Sequence, residues 1–159
     1  GPYLYDALVT VPIVLSYPVK FRSGLRSEAM VELVDLAPTL LATCGLEQPS
    51  SMQGRSFLPV CTGDGERHRS TVTCEYLNAM TKHRDPTPYL VMLRDERYKL
   101  VHYAGIDTCE LYNLEEDPFE HRNLWHDSAY DAIKGRLRDA LLDTIVFSAD
   151  PMPPRRGAF

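Results

Sequence analysis

The feature that most constrains the fold of this 159-residue chain is an apolar run close to its start. Residues 9–15 read VTVPIVL, which is apolar on both faces of an extended segment. A strand of this kind needs cover on each side, as in a parallel sheet with helices above and below it. The run therefore predicts a strand over residues 9–16 within an α/β layer.

The residues that follow continue the alternation of strand and helix signals. Residues 28–33 alternate polar and apolar side chains, which predicts a half-buried strand. Apolar residues then recur every four positions from Leu36 to Cys44, with Asp35 as a predicted N-cap and Gly45 as the stop of a short amphipathic helix. One short helix cannot cover a strand with two apolar faces, so another chain or upstream sequence must complete this layer.

The chain changes character after a loop-like stretch at residues 47–69. Beyond it, short β-type runs are separated by turn residues, including a tight Asp95-Glu96 turn that predicts a hairpin. They predict a small antiparallel sheet, with one face covered by a helix and the other facing solvent. The four predicted strands are residues 70–77, 89–93, 97–103 and 109–114.

A long helix and an extended tail close the chain. Apolar residues spaced three or four apart predict a helix over residues 128–148, capped by Asp127 or Ser128 and packed on the sheet. Three prolines exclude a helix from the tail, for which we expect an oligomer contact. The predicted organisation is residues 1–62 as the incomplete end of an α/β domain, 63–148 as an α+β subdomain, and 149–159 as the tail.

Charge and composition narrow the possible partners. The net charge is −5, and the longest basic run is Arg155-Arg156, which argues against nucleic acid. The longest apolar run is far shorter than a membrane span, so we expect no membrane partner. The cysteines have no metal-site spacing and are predicted to be reduced and structural. The compartment stays open, with a slight preference for the cytoplasm over the periplasm or secretion.

The residues taken alone predict no catalytic or metal site. Motifs of serine hydrolases, zinc proteases, P-loops and dinucleotide-binding folds are absent from the sequence. The five histidines are isolated along the chain, so we expect surface or locally hydrogen-bonded roles for them. The acidic run Glu115-Glu116-Asp117 offers ligands for calcium, but the following Pro118 favours a turn.

Five segments in a fixed order carry a family resemblance. They are YPVKFRSG, LVDLAPTLLATCGL, MQGRSFLPV, LRDERYKLVHY and ELYNLEEDPFEHRNLW, followed by the closing helix. In this order the chain resembles the C-terminal third of type I sulfatases, members of the alkaline phosphatase superfamily, over essentially its whole length. It is most similar to the bacterial arylsulfatase, choline-sulfatase and phosphonate monoester hydrolase types. The implied fold is the end of an alkaline-phosphatase-like α/β domain followed by the α+β subdomain.

The resemblance implies that the catalytic centre lies elsewhere. The family's nucleophile is a formylglycine made from a C-x-P-x-R motif, and a divalent metal, calcium or similar, is held by acidic residues; neither motif has a counterpart here. We therefore expect no catalytic residue and no metal ligand in this chain. The formylglycine and the metal would belong to a missing N-terminal sulfatase portion, which is the expected partner. The expected substrate is a small sulfate ester, and the chain alone is expected to be inactive.

The first six residues correspond to a family pattern, G-x-x-x-Y-[ED], that directly follows a sulfate-contacting lysine. Asp6 stands here in place of the more usual glutamate. The resemblance thus implies that Gly1 lies within a longer protein, one residue after that lysine. It makes Tyr3 and Tyr5 candidates for lining the substrate cleft, the alternative being two core aromatics beside a strand.

Two other functions stay open at this point. Phosphonate monoester hydrolases and phosphodiesterases share the architecture, and only pocket residues outside this chain would separate them from sulfatases. The chain could instead be a non-catalytic α+β module that binds a partner through its N-terminal strand.

Overall fold

The computed structural model describes residues 3–77 and 89–149. Within them, one compact unit contains residues 3–13, 70–77 and 89–142, and a second contains residues 14–69 and 143–149. We refer to them as the sheet unit and the loop unit. The predicted division of the chain at residue 63 stays a prediction, and the predicted tail lies, apart from residue 149, outside the described residues.

The predicted four-stranded antiparallel sheet is confirmed. Its strands pair in sequence order, and Asp95 closes the β2–β3 hairpin by accepting hydrogen bonds at Oδ1 from the backbone nitrogens of Arg97 and Tyr98. The strands are β1 Val72–Leu77, β2 Tyr89–Arg94, β3 Tyr98–Tyr103 and β4 Cys109–Asn113. The helices are α1 Asp6–Val9, α2 Leu36–Thr43, α3 Leu58–Thr62 and α4 Asp131–Ala149.

Helix α4 covers one face of the sheet, as predicted. A 3₁₀ turn over Ser128–Tyr130 leads into it, and Asp127 caps this turn by accepting a hydrogen bond from the backbone nitrogen of Ala129. The core on this side contains Leu93, Leu100, Leu111, Leu124, Leu137 and Leu141. Burial of these leucines supplies the hydrophobic stabilisation of this face of the sheet.

The opposite face of the sheet is also covered, and the prediction that it faces solvent is wrong. Leu4 is buried there against Leu90, Met92 and Val101. Strands β2 and β3 carry apolar residues at successive positions, so the sheet has two apolar faces that both need cover. The N-terminal segment, residues 3–9, supplies the second cover.

The predicted strands at residues 9–16 and 28–33 are not formed. Residues 6–9 are helical, residues 10–16 have no regular structure, and Val14 is 90% exposed. Residues 28–32 are irregular and lead into a 3₁₀ turn over Leu33–Asp35. A strand persists only where a neighbour pairs its backbone groups, and the described residues contain no strand beside these segments.

The loop unit contains the predicted helix α2, but with a different buried face. Gly45 ends it in a left-handed conformation, with φ of 72°, as the sequence predicted. Pro38 and Thr39 are the buried residues, whereas Leu40 is 57% exposed, so the predicted apolar stripe is wrong. Helix α3 lies within the stretch that was predicted to be loop, because five residues are too few to display a helical period. In the described residues, no helix has both the length and the apolarity to cross a membrane.

A close backbone approach in the loop unit yields the first prediction. A Cβ added at Gly54 would lie 1.9 Å from the carbonyl oxygen of Val34, whereas one added at Gly135 in α4 meets nothing within 4 Å. We expect Gly54→Ala to lower the free energy of unfolding by about 2–3 kcal/mol or more. Gly135→Ala should instead raise it by up to about 1 kcal/mol. Urea unfolding measures both, and similar midpoints for the two variants would contradict the close approach.

Candidate functional site

Asp6 attaches the N-terminal segment to the sheet. Its carboxylate accepts a hydrogen bond from Lys99 Nζ at 3.0 Å through Oδ1 and pairs with Arg94 through Oδ2. Its backbone nitrogen donates to Glu120 Oε2 at 2.7 Å. Asp6 is the first residue of α1, where a carboxylate also complements the helix dipole. The segment is thus held by side-chain and main-chain contacts at one residue.

Lys99 is the centre of this cluster, which we call the Lys99 cluster: Asp6, Arg94, Lys99 and Glu120. Lys99 is fully buried, and its Nζ also lies 2.6 Å from Glu120 Oε1. On the sheet it stands opposite Arg94 in β2. Two cations and two carboxylates balance the charge, which a buried ammonium group requires. Removal of any one member would leave an unpaired charge in a buried place.

Glu120 adopts a backbone conformation that is unusual for its residue type. Its φ is 58°, in the left-handed region, and it is the one non-glycine residue with positive φ in the described part of the chain. The turn that holds it is closed by a hydrogen bond from its backbone nitrogen to the carbonyl oxygen of Asp117 at 3.1 Å. Such a conformation costs about 1–2 kcal/mol for an L-residue. The contacts of Glu120 with Lys99 and Asp6 offset this cost.

A group of tyrosines lies beside the Lys99 cluster. The rings of Tyr3 and Tyr5 are stacked, with centroids 5.3 Å apart and planes inclined by 21°. Tyr103 donates a hydrogen bond to Glu110 Oε1 at 2.8 Å. Tyr112 is buried in β4, opposite Lys99 in β3. We call this set the tyrosine cluster: Tyr3, Tyr5, Tyr103, Tyr112 and Glu110.

Burial and charge keep these phenols protonated. Burial, followed by hydrogen bonding to Glu110 and its charge, raises the pKa of Tyr103. Burial and the Glu110 charge likewise raise the pKa values of Tyr112 and Tyr5, although a hydrogen bond with Tyr112 partly opposes the rise at Tyr5. Neutral phenols can donate and accept hydrogen bonds. The cluster is therefore suited to binding hydroxyl groups and is not set up for nucleophilic attack.

A second buried carboxylate organises the loop unit. Asp35 is fully buried and accepts hydrogen bonds from Arg69 Nε at 2.7 Å and from the backbone nitrogens of Arg55 and Glu32 at 2.8 and 3.0 Å. His68 Nε2 lies 3.0 Å from the same carboxylate. Asp35 was predicted to cap α2, but its side chain makes no such bond and instead joins three separate segments. Burial alone would raise the pKa of Asp35, but these hydrogen bonds outweigh it and hold the pKa well below its usual value.

The other polar residues that the sequence singled out have local partners. Glu115 and Glu116 each pair with Arg97, at 3.2 and 3.3 Å, and Asp117 accepts a hydrogen bond from the backbone nitrogen of Arg122, which agrees with the turn interpretation. In the described part of the chain, no three His, Cys, Asp or Glu residues are grouped to hold a metal ion.

One histidine and one cysteine come together across β3 and β4. Cys109 Sγ lies 3.4 Å from His102 Nδ1. Burial raises the pKa of the Cys109 thiol, which keeps it protonated rather than activated. All four cysteines are free thiols, as predicted.

The two sequence-predicted cleft residues lie together, but in different surroundings. Tyr3 is 48% exposed, whereas Tyr5 is partly buried. Sequence reasoning missed Glu110 and the Lys99 cluster. The position of Lys99 between apolar strand residues, in YKLVHY, is the signal that could have identified a buried lysine. The assignment of Tyr3 and Tyr5 to a substrate cleft stays a prediction.

Comparison with known proteins identifies the region that this chain resembles. A sequence model of the family described as "N-sulphoglucosamine sulphohydrolase, C-terminal" matches residues 2–146. An N-acetylglucosamine-6-O-sulfatase from Bacteroides thetaiotaomicron is 30% identical over 89% of this chain and 26% of the relative. A Delta 4,5-hexuronate-2-O-sulfatase from the same organism is 31% identical over 92% of this chain and 30% of the relative. The chain thus spans between a quarter and a third of the length of these relatives.

Solved structures support the same assignment. A protein in complex with its substrate D-glucosamine-2-N,6-O-disulfate has a TM-score of 0.75 and 29% identity, covering 89% of this chain and 29% of that chain. A phosphonate monoester hydrolase from Silicibacter pomeroyi has a TM-score of 0.71 and 27% identity. The match covers 80% of this chain and 27% of that chain. The predicted resemblance to the C-terminal portion of alkaline-phosphatase-like sulfatases is confirmed.

The Lys99 cluster yields the second prediction. Lys99→Met leaves two carboxylates facing one arginine in a buried place, so we expect a loss of about 3–5 kcal/mol in the free energy of unfolding. Arg97→Met, which removes an exposed cation from pairs with Glu115 and Glu116, should change it by less than about 1 kcal/mol. Urea unfolding and amide hydrogen exchange of residues 3–9 measure the effect. Equal losses in the two variants would contradict the role of Lys99.

The third prediction concerns pH. The folded-state pKa of Asp35 is below its ordinary value of 3.8, so its stabilisation is present above that value and is lost as the pH falls towards the folded pKa. Asp35→Asn should lower stability at pH 7 by about 3–5 kcal/mol. The difference between wild type and variant should shrink below about pH 4. Asp64→Asn, at an exposed carboxylate in the same unit, is the control, and a pH-independent difference for Asp35→Asn would contradict the prediction.

Proposed function

This chain belongs to the N-sulphoglucosamine sulphohydrolase C-terminal family, and we propose that it supplies the scaffold and part of the substrate cleft of a sulfatase that hydrolyses sulfate esters. The observation that carries the proposal is the family match over residues 2–146, together with relatives named as sulfatases that align over most of this chain. In this proposal the chain positions substrate-facing residues, and the reacting groups come from the larger part of the enzyme.

The nucleophile and the metal belong, in this proposal, to the N-terminal sulfatase portion. The sequence lacks the C-x-P-x-R motif from which formylglycine is made. The described residues do not fit a divalent metal, because they contain no cluster of acidic residues, histidines or cysteines for it. When bound in the whole enzyme, the metal would supply charge stabilisation for the sulfate oxygens.

In this proposal, the sheet unit holds its N-terminal segment, residues 3–9, in place as part of the cleft wall. Leu4 is buried in the sheet core and Asp6 is bound to Lys99 and Arg94, so the backbone on both sides of Tyr5 is held in place. Tyr3 is adjacent to the buried Leu4. A wall made from anchored residues keeps its geometry when substrate binds, which lowers the entropic cost of binding.

The loop unit offers a surface for the N-terminal portion. Residues 14–16 at its start have no regular structure, and no strand within the described ranges pairs with them. An unpaired segment with exposed apolar side chains is suited to joining a sheet of a partner through backbone hydrogen bonds. We propose that this partner is the sulfatase N-terminal portion, on the same polypeptide or on another. Exposed apolar residues of the loop unit include Val14, Val19, Leu33, Val34 and Leu46.

A second candidate is phosphonate monoester hydrolysis in the same architecture. It is favoured by the solved phosphonate monoester hydrolase from Silicibacter pomeroyi at a TM-score of 0.71. The two candidates differ in the ester that is cleaved and share the same role for this chain.

Complementation tests the proposed function. We expect the isolated chain to release no sulfate from 4-nitrophenyl sulfate or N-acetylglucosamine 6-sulfate above buffer. Fused in place of the corresponding region of the Bacteroides N-acetylglucosamine-6-O-sulfatase, it should restore sulfate release. A Lys99→Met fusion should restore less, because the N-terminal segment is no longer held.

Three outcomes decide between the alternatives. Chelator-sensitive turnover by the isolated chain would contradict the assignment of the catalytic groups to the other portion. A folded fusion without turnover would contradict the proposed role. Faster cleavage of a phenylphosphonate ester than of sulfate esters would favour the second candidate.

A further inference from the structure

We propose that Tyr3 and Tyr5 form a stacking platform for the pyranose ring of a sulfated sugar, with Glu110 beside them as an acceptor for the hydroxyl groups of the ring. The inference rests on the proposed function, because it assigns a substrate class to the cleft that the chain would help to build. It concerns binding, so it can be tested without turnover.

The geometry of the two rings suits a sugar. Tyr3 is about half exposed, and its ring is stacked on Tyr5 at 5.3 Å between centroids. A pyranose ring presents C–H groups on its faces and hydroxyl groups at its edge, so it packs an apolar face on an aromatic ring. Binding sites commonly combine such an apolar surface with a few fixed polar groups.

Anchoring on both sides of Tyr5 makes the platform rigid. Leu4, which precedes it, is 4% exposed in the core with Leu90, Met92 and Val101. Asp6, which follows it, is bound to the buried Lys99. Because the backbone on either side is fixed, little conformational entropy is lost when a ligand stacks on the rings.

Glu110 gives the platform its preference for hydroxyl groups. It is partly exposed, and Oε1 accepts the hydrogen bond from Tyr103 at 2.8 Å. A carboxylate has about four acceptor sites, so further donors can be bound. Sugar hydroxyls are such donors, whereas a sulfate group would be repelled by the carboxylate. The sulfate is therefore directed away from Glu110, with the hydroxyl-bearing edge of the ring towards it.

The relatives indicate the same class of ligand. Two are named for sulfated N-acetylglucosamine and for a sulfated hexuronate, both pyranose sugars. The solved structure with a TM-score of 0.75 holds D-glucosamine-2-N,6-O-disulfate as its substrate. A simple aryl sulfate or a phenylphosphonate ester has no ring hydroxyls that could donate hydrogen bonds to Glu110.

Saturation-transfer NMR on the full 159-residue chain tests the platform, with N-acetylglucosamine 6-sulfate as the probe. We expect transfer to the ring protons of the sugar and a Kd that Tyr3→Ala raises about fivefold, in line with the typical strength of aromatic stacking. Tyr3→Phe should keep the wild-type Kd, because it keeps the ring. Tyr17→Ala is the matched control, since Tyr17 is a similarly exposed tyrosine, at 41%, in the loop unit.

The platform and the proposed function fail in different ways. Absence of saturation transfer to the sugar, or equal changes in Kd for Tyr3→Ala and Tyr17→Ala, would overturn the platform. In the sulfatase fusion, an unchanged KM for N-acetylglucosamine 6-sulfate in Tyr3→Ala would also overturn it and leave the proposed function intact. Sugar binding that depends on Tyr3, in a fusion without turnover, would support the platform and contradict the proposed function.

Discussion

The sheet unit depends on the neutralisation of one buried lysine. Lys99 lies in β3, where a fully buried ammonium group would be strongly destabilising without partners. Two carboxylates neutralise it: Asp6, which precedes the four strands in the sequence, and Glu120, which follows them. The requirement for charge balance therefore fixes the positions of the N-terminal segment and of the turn that carries Glu120. The positions of Tyr3 and Tyr5 follow from the same charge balance, because both residues belong to the N-terminal segment.

The loop unit uses the same physical device in a different setting. It contains little regular structure, so backbone ladders contribute little to its order. Asp35 substitutes for them by binding Arg69, His68 and the backbone nitrogens of Arg55 and Glu32. A single buried carboxylate can satisfy several donors at once, and each charge-assisted bond is stronger than a neutral one. In both units, irregular segments are thus ordered by buried ion pairs rather than by secondary structure alone.

Local patterns predicted the four strands of the sheet and helices α2 and α4, but not helices α1 and α3 or the long-range contacts. Those strands and helices could be predicted because alternation and helical spacing are properties of neighbouring residues. The Asp6–Lys99 pair joins residues 93 positions apart, and Arg69 is 34 positions from Asp35, so no local pattern reveals either contact. The predicted strand at residues 9–16 failed for the related reason that a strand needs a partner, which the apolar pattern cannot supply. Tyr3 and Tyr5 could be nominated from the family resemblance, but their stacking could not.

Several residues whose exposure the fold does not explain are those to which we assign functions in our proposals. Val14 and Val19, at 90% and 86% exposure, contribute little to the unit that contains them. Tyr3 keeps about half of its surface exposed although its neighbour Leu4 is buried. Single exposed apolar residues are ordinary, but clusters of them beside anchored segments indicate surfaces that are completed by another molecule. We propose a protein sheet for the first surface, because it offers unpaired backbone, and a sugar ring for the second, because it offers aromatic faces with a carboxylate beside them.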